Sequence, residues 1–322
     1  MHTDFTTRAF GRGRTLFSLF KQRGNAQGQV ALFQREGGVA AAYYSAAAEP
    51  ALRCAWLPGV TLAQAEAIRA CLEGWQALGC QTTVVLAPKS YQLLLVEAPD
   101  VEAAELAEAL RWRVKDMVSF DVAEAVIDFF PLAEDAYHGR SRMLYVVVME
   151  ASRGETLASQ IAACGLDLKR IEIPELALLR LHRHLLIEGA GCALLGLQSP
   201  VSLINLVADG DLYLTRQVDT AAGLLAADAE DVERRAGSLI LDIQRSLDYY
   251  ESQLGKPPCI KLLVAPLQPG ETPLLGQLRY NLALEIQQLD LGELFPCEPQ
   301  LGPELQQQCL IAIAGALPEI QP

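Results

Sequence analysis

Few side chains in this 322-residue sequence are spaced for chemistry. His182-Arg183-His184 offers two imidazoles, but residues two apart on a helix point about 200° away from each other, so one metal ion cannot readily take both. The pair reads as ordinary helix surface or interface. Cys54, Cys71 and Cys80 would make a metal trio with no fourth ligand in view. Glu102, Glu105 and Glu108 read as the solvated face of a capped helix rather than as paired catalytic carboxylates. Neither a G-x-S-x-G nucleophile elbow nor a P-loop occurs. What remains is the loop Ala265-Pro266-Leu267-Gln268-Pro269-Gly270, which leaves a short apolar run, Ile260 to Val264, at a place where open α/β sheets usually hold a ligand.

Composition narrows the partners. Half of the chain (51%) is hydrophobic and 20% is charged, enough for two domains with a substantial core. A net charge of −13 argues against nucleic-acid backbone as the main ligand. The charge is uneven: Arg8, Arg12, Arg14, Lys21 and Arg23 stand against Asp4 alone in the first 23 residues, a net +4, leaving −17 for the rest. Eight cysteines show no C-x-x-C, and several lie inside apolar runs where a thiol packs as a small hydrophobe. That usage fits a reducing cytoplasm better than a disulfide framework. No apolar stretch has the length of a membrane span, and no convincing secretion signal is present.

The elements that must position that loop are legible as a repeat. Val30 to Phe33 and Val39 to Tyr44 flank Gly37-Gly38 as a hairpin. An apolar segment near Cys54 to Leu57 follows, then a helix from Leu62 to Leu78 and a strand from Thr82 to Ala87. Later, Ser202 to Val207 and Leu212 to Val218 flank Asp209-Gly210-Asp211 as a second hairpin. A less clear segment comes next, then a helix from Asp228 to Leu254 and the strand at 260–264. Within that helix Val232, Ala236, Leu239, Ile240, Ile243, Leu247, Tyr250 and Leu254 form one apolar stripe, with Arg245 and Asp248 off it as an i,i+3 pair. Between the halves lies another α/β unit. It has strands at 93–96, 126–130 and 143–149, a helix from Val101 to Val118 capped by Asp100, and a second helix from Thr156 to Cys164. The chain returns through a helix from Pro174 to Leu186.

Three stretches carry a resemblance. "EAPDVEAAELAEALRWRVKDMVSFDVAEAVIDFFPL" resembles the inserted subdomain of the PilM-type type IV pilus assembly proteins. "LDIQRSLDYYESQ" and "GDLYLTRQV" are similar to that family's second-half helix and hairpin, and "CGLDLKRIEIPELALLRL" to its return into the first domain. Within the family, the N-terminal half looks most like the MshI branch, which serves the mannose-sensitive haemagglutinin pilus. The resemblance implies an actin-like fold: two ribonuclease-H-like domains around an ATP cleft, with a small inserted α/β subdomain. It divides the chain into a basic leader (1–24), a first domain (25–90 with 171–190 and the C-terminal helix 303–322), the insert (91–170) and a second domain (191–302).

In that family, glycine-rich or acidic turns in both hairpins and a Gly-Gly after the last strand hold the nucleotide. Here Gly37-Gly38 lacks a preceding Asp, Leu195-Gly196-Leu197 lacks a carboxylate, and Ala265-Pro266 replaces Gly-Gly. The expectation is therefore a degenerate cleft with no cofactor, and a scaffold rather than an enzyme. Such a scaffold would bind the short cytoplasmic tail of a bitopic inner-membrane partner. A working ATPase or switch, or a type II secretion component, is the alternative. Trp112, Met117 and Phe120 are either core or the lining of the tail groove. The leader, with Arg12, Arg14, Phe17, Phe20 and Lys21, is either a packed or disordered segment or one drawn to anionic lipid.

Overall fold

A computed structural model describes residues 28–133, 135–137, 142–185, 191–198, 200–221, 223–224, 229–266 and 272–320. The chain begins with β1 (Gln29–Arg35), β2 (Gly38–Tyr44), β3 (Leu52–Pro58), α1 (Ala65–Gly74) and β4 (Gln81–Val85). It continues through β5 (Gln92–Glu97), α2 (Leu106–Val114), β6 (Ala125–Pro131), β7 (Met143–Glu150) and α3 (Ala151–Ala163). Next come β8 (Asp167–Glu172), α4 (Pro174–His184), β9 (Cys192–Gly196), β10 (Val201–Ala208) and β11 (Asp211–Asp219). The last part holds α5 (Ala229–Arg235), α6 (Gly237–Ser252), β12 (Lys261–Val264), α7 (Pro273–Asn281), β13 (Glu285–Gln288), α8 (Leu291–Leu294), β14 (Cys297–Glu298) and α9 (Pro303–Ala316).

Two sheets share one topology. The first runs β14-β3-β2-β1-β4-β8 and the second β11-β10-β9-β12-β13. In each, an antiparallel hairpin leads into a parallel pair: β1 lies against β2 and β4, and β9 against β10 and β12. This is the duplicated α/β architecture expected, but the repeat is displaced by one strand. The counterpart of β1–β2 is β9–β10, whereas the hairpin read at 202–218 is β10–β11 and matches β2–β3. The strand that escaped notice, Cys192–Gly196, is buried at all five positions, so it has no alternation to mark it.

Both sheets are covered on both faces. Val30, Leu32, Val39 and Ala41 point into one core with Ile68 and Leu72 of α1 and Ile161 of α3. The alternate residues Ala31, Phe33, Ala40 and Ala42 point into another. That second core also receives Cys192 and Leu194 of β9, together with α4 and α9. These two helices are therefore packed between the sheets. Helix α9 is buried from Cys309 to Ala316, which explains an apolar composition with no polar face. The second sheet's outer face meets Leu239, Ile243 and Tyr250 of α6. Strands β5-β7-β6 form a separate three-stranded sheet with α2 against a small core of its own.

Several local expectations differ from the fold. The helix read at 101–118 is only Leu106–Val114, and Asp100 does not cap it; Glu105 holds the N-cap position with no side-chain hydrogen bond. Residues 101–105 are exposed and offer no apolar face to bury, so they stay as turns. The helix read at 228–254 is two helices divided at Ala236. Arg245 pairs backwards with Asp242 at 3.6 Å rather than with Asp248.

Candidate functional site: the cleft between the halves

The turn after β1 and the turn after β9 approach one another over the N-terminus of α4 and the middle of α9. Between them lies a cavity of about 230 Å³ lined by Phe33, Arg35, Lys89, Pro174, Gln198 and Ile311, among others. That is below the about 300–1,000 Å³ typical of small-molecule sites.

Most of the loop positions singled out in the sequence have a structural task. Gly37 adopts φ +87°, which completes the two-residue turn. At Gly38 a Cβ would come within 2.4 Å of the Leu57 carbonyl oxygen and 2.7 Å of the Trp56 ring, so this glycine admits Trp56 rather than a ligand. At Gly196 a Cβ would meet Leu178 Cδ1 at 2.7 Å, so here the sheet approaches α4 closely. Ala265 is buried and its N–H already donates to the Leu195 carbonyl oxygen at 2.7 Å. Pro266 is also buried and has no N–H to give.

The sequence reading missed the polar node beside this cleft. Glu175, in the first turn of α4, is fully buried. Tyr91 donates its hydroxyl to Oε2 at 2.6 Å, and the Gln217 amide donates to Oε1 at 2.8 Å. Asn205 donates to the Glu175 main-chain oxygen at 2.8 Å, and Thr215 donates to Asn205 at 2.6 Å. Burial raises the Glu175 carboxyl above its usual range, and burial and the Glu175 charge push the Tyr91 phenol well up. The node joins the three-stranded unit, α4 and the second sheet. An acidic residue after a proline at a helix start is commonplace, so nothing in the sequence marked this one.

The histidines separate. His182 is not on the surface: it is buried, and neither ring nitrogen has a hydrogen-bond partner among the described residues. Burial, with a smaller contribution from Arg183, lowers its pKa to about 4. His184 Nε2 lies 2.9 Å from the Pro318 carbonyl oxygen. Cys54 lies 4.0 Å, sulfur to sulfur, from Cys297. Among the described residues no group of three His, Cys, Asp or Glu could hold a metal ion. Glu102, Glu105 and Glu108 are exposed.

Trp112 is 66% exposed and Met117 49% exposed, at the end of α2 and in the turn after it. Lys115 Nζ sits 5.3 Å from the centre of the Trp112 ring. Phe120 packs partly against the core of the three-stranded unit. The core reading of Trp112 and Met117 is thereby corrected. The leader, with Arg12, Arg14, Phe17, Phe20 and Lys21, lies outside the described residues. No helix among the described residues is long and apolar enough to cross a membrane.

No protein-family model matches the chain, and no curated protein matches it. Solved structures do. A chain of the PilM-PilN type IV pilus biogenesis complex superposes with a TM-score of 0.66 at 18% identity, covering 90% of this chain and 99% of its own. The cytoplasmic domain of EpsL, an inner-membrane component of the type II secretion system of Vibrio cholerae, superposes more loosely. Its TM-score is 0.48 at 18% identity, covering 88% and 94%. At these identities the likeness is one of fold, and the EpsL match carries no further weight. Taken with the duplicated strand order, the fold of this chain is actin-like, with an inserted three-stranded unit.

Proposed function

We propose that this protein is a cytoplasmic scaffold of a type IV pilus biogenesis machine, of the mannose-sensitive haemagglutinin type, with its nucleotide cleft out of use. It binds the short cytoplasmic tail of an inner-membrane assembly partner. The observation that carries the reading is the fold it shares with a chain whose solved structure is a pilus biogenesis complex with PilN. The cleft supports the scaffold half of the reading, because the described positions Gly38, Gly196 and Ala265 are engaged in packing or a sheet hydrogen bond. Trp112 and Met117 support the binding half. Both are large apolar side chains left to solvent at the end of one helix, and aromatic anchors of this kind dominate many interfaces. A flexible tail loses ordering entropy on binding and needs such anchors to offset that loss.

Immobilised synthetic tails of neighbouring inner-membrane proteins provide the test. One tail should retain the full-length protein, and Trp112→Ala should weaken retention. Retention of none of them would count against the scaffold reading. An ATP-gated switch is the second reading, favoured by the two cations Arg35 and Lys89 on the cleft wall.

A further inference from the structure

Arg35 ends β1 and Gln198 follows β9, so each stands at one of the two matching turns. We propose that Arg35 is a clasp that holds the two halves closed across the cleft without any ligand. Its Nη1 donates to Gln198 Oε1 at 2.8 Å, between residues 163 apart in sequence. The same glutamine donates through Nε2 to the main-chain oxygen of Gln307 on α9 at 3.2 Å. One side-chain amide thus connects the first sheet, the second sheet and the helix packed between them.

Both ends of the contact are held in place. The Arg35 guanidinium carbon lies 5.3 Å from the centre of the Trp56 ring, a cation–π geometry. Trp56 in turn rests on Gly38, where only a missing Cβ leaves it room. On the far side, the Gln198 main-chain N–H donates to Ser202 Oγ at 3.2 Å. The Ser202 hydroxyl also lies 2.5 Å from that of Thr220. No ion pair among the described residues includes Arg35. Its partners are a neutral amide and an aromatic face, and burial lowers its pKa. A half-buried cation with no counter-charge is costly to keep. Serving as the cross-cleft link gives it a role there.

Hydrogen–deuterium exchange on the full-length protein tests the clasp. The variants are Arg35→Met, which keeps an apolar stem, Gln198→Leu, and the double variant. Each single change should raise exchange about tenfold in three places: the turn at 34–39, the turn at 196–203, and the start of α9. The double variant should go no further than either single one. Loosening confined to the turn that carries the substitution would overturn the proposal, as would additive effects in the double variant. Should Arg35→Met loosen the whole molecule, Gln198→Leu decides. It breaks the bond from the other end, leaves the Trp56 contact intact, and is read on the same three peptides.

Discussion

The fold alters the acid–base chemistry of His182. Its pKa falls from the ordinary 6.5 to about 4, because burial disfavours the imidazolium. Below pH 6.5 the unfolded chain takes up a proton that the folded chain refuses. Stability is therefore intact above 6.5 and is lost as pH falls from 6.5 towards 4, by about 3 kcal/mol in all for this one group. Replacing His182 with Leu should flatten that part of the curve in urea titrations run between pH 7 and 4, and an unchanged slope would contradict the assignment. Trp112 is the opposite case. With two thirds of its surface in water, Trp112→Ala should move the unfolding free energy by less than about 0.5 kcal/mol. If it anchors the tail, the same change should weaken binding by more than about 1 kcal/mol, measured by calorimetry on the tail that is retained. A sharply lowered melting point with full affinity would show the reverse.

At the scale of elements, the glycines at the cleft test whether these turns serve packing or ligand. Gly38→Ala drives a methyl group into the Leu57 carbonyl, a backbone atom with little freedom to yield. A loss of about 1–3 kcal/mol is expected in chemical denaturation, ligand present or absent. A silent substitution would mean the close packing of Trp56 on this turn is not what the glycine serves. Some elements were legible in the sequence: the α6 stripe by its period, the β1–β2 and β10–β11 hairpins by their glycine turns, and the strand Lys261–Val264 as an apolar run after the helix stop at Gly255 and Pro257-Pro258. Strand β9 was not, since a short run buried on both faces has neither period. That omission displaced the repeat by one strand. The short α2 was overread because acidic residues suggested a capped first turn, while the missing apolar face argued otherwise. The Arg35–Gln198 contact and the Glu175 node depend on the pairing of distant turns, which no local pattern reports.

For the whole molecule, charge and fold act together. The described body carries the negative excess, while the first 23 residues carry a net +4 with phenylalanines among the cations. If that leader meets anionic lipid, the full chain should sediment with phosphatidylserine-containing vesicles at low salt, and a chain lacking residues 1–24 should not. Equal sedimentation of both would remove the leader from the account. The central proposal is that an actin-like body works here through its surfaces and not through a nucleotide in its cleft. Titration calorimetry of the full-length protein with Mg-ATP tests it most directly. The account predicts no saturable heat up to millimolar nucleotide, and a micromolar dissociation constant would contradict it.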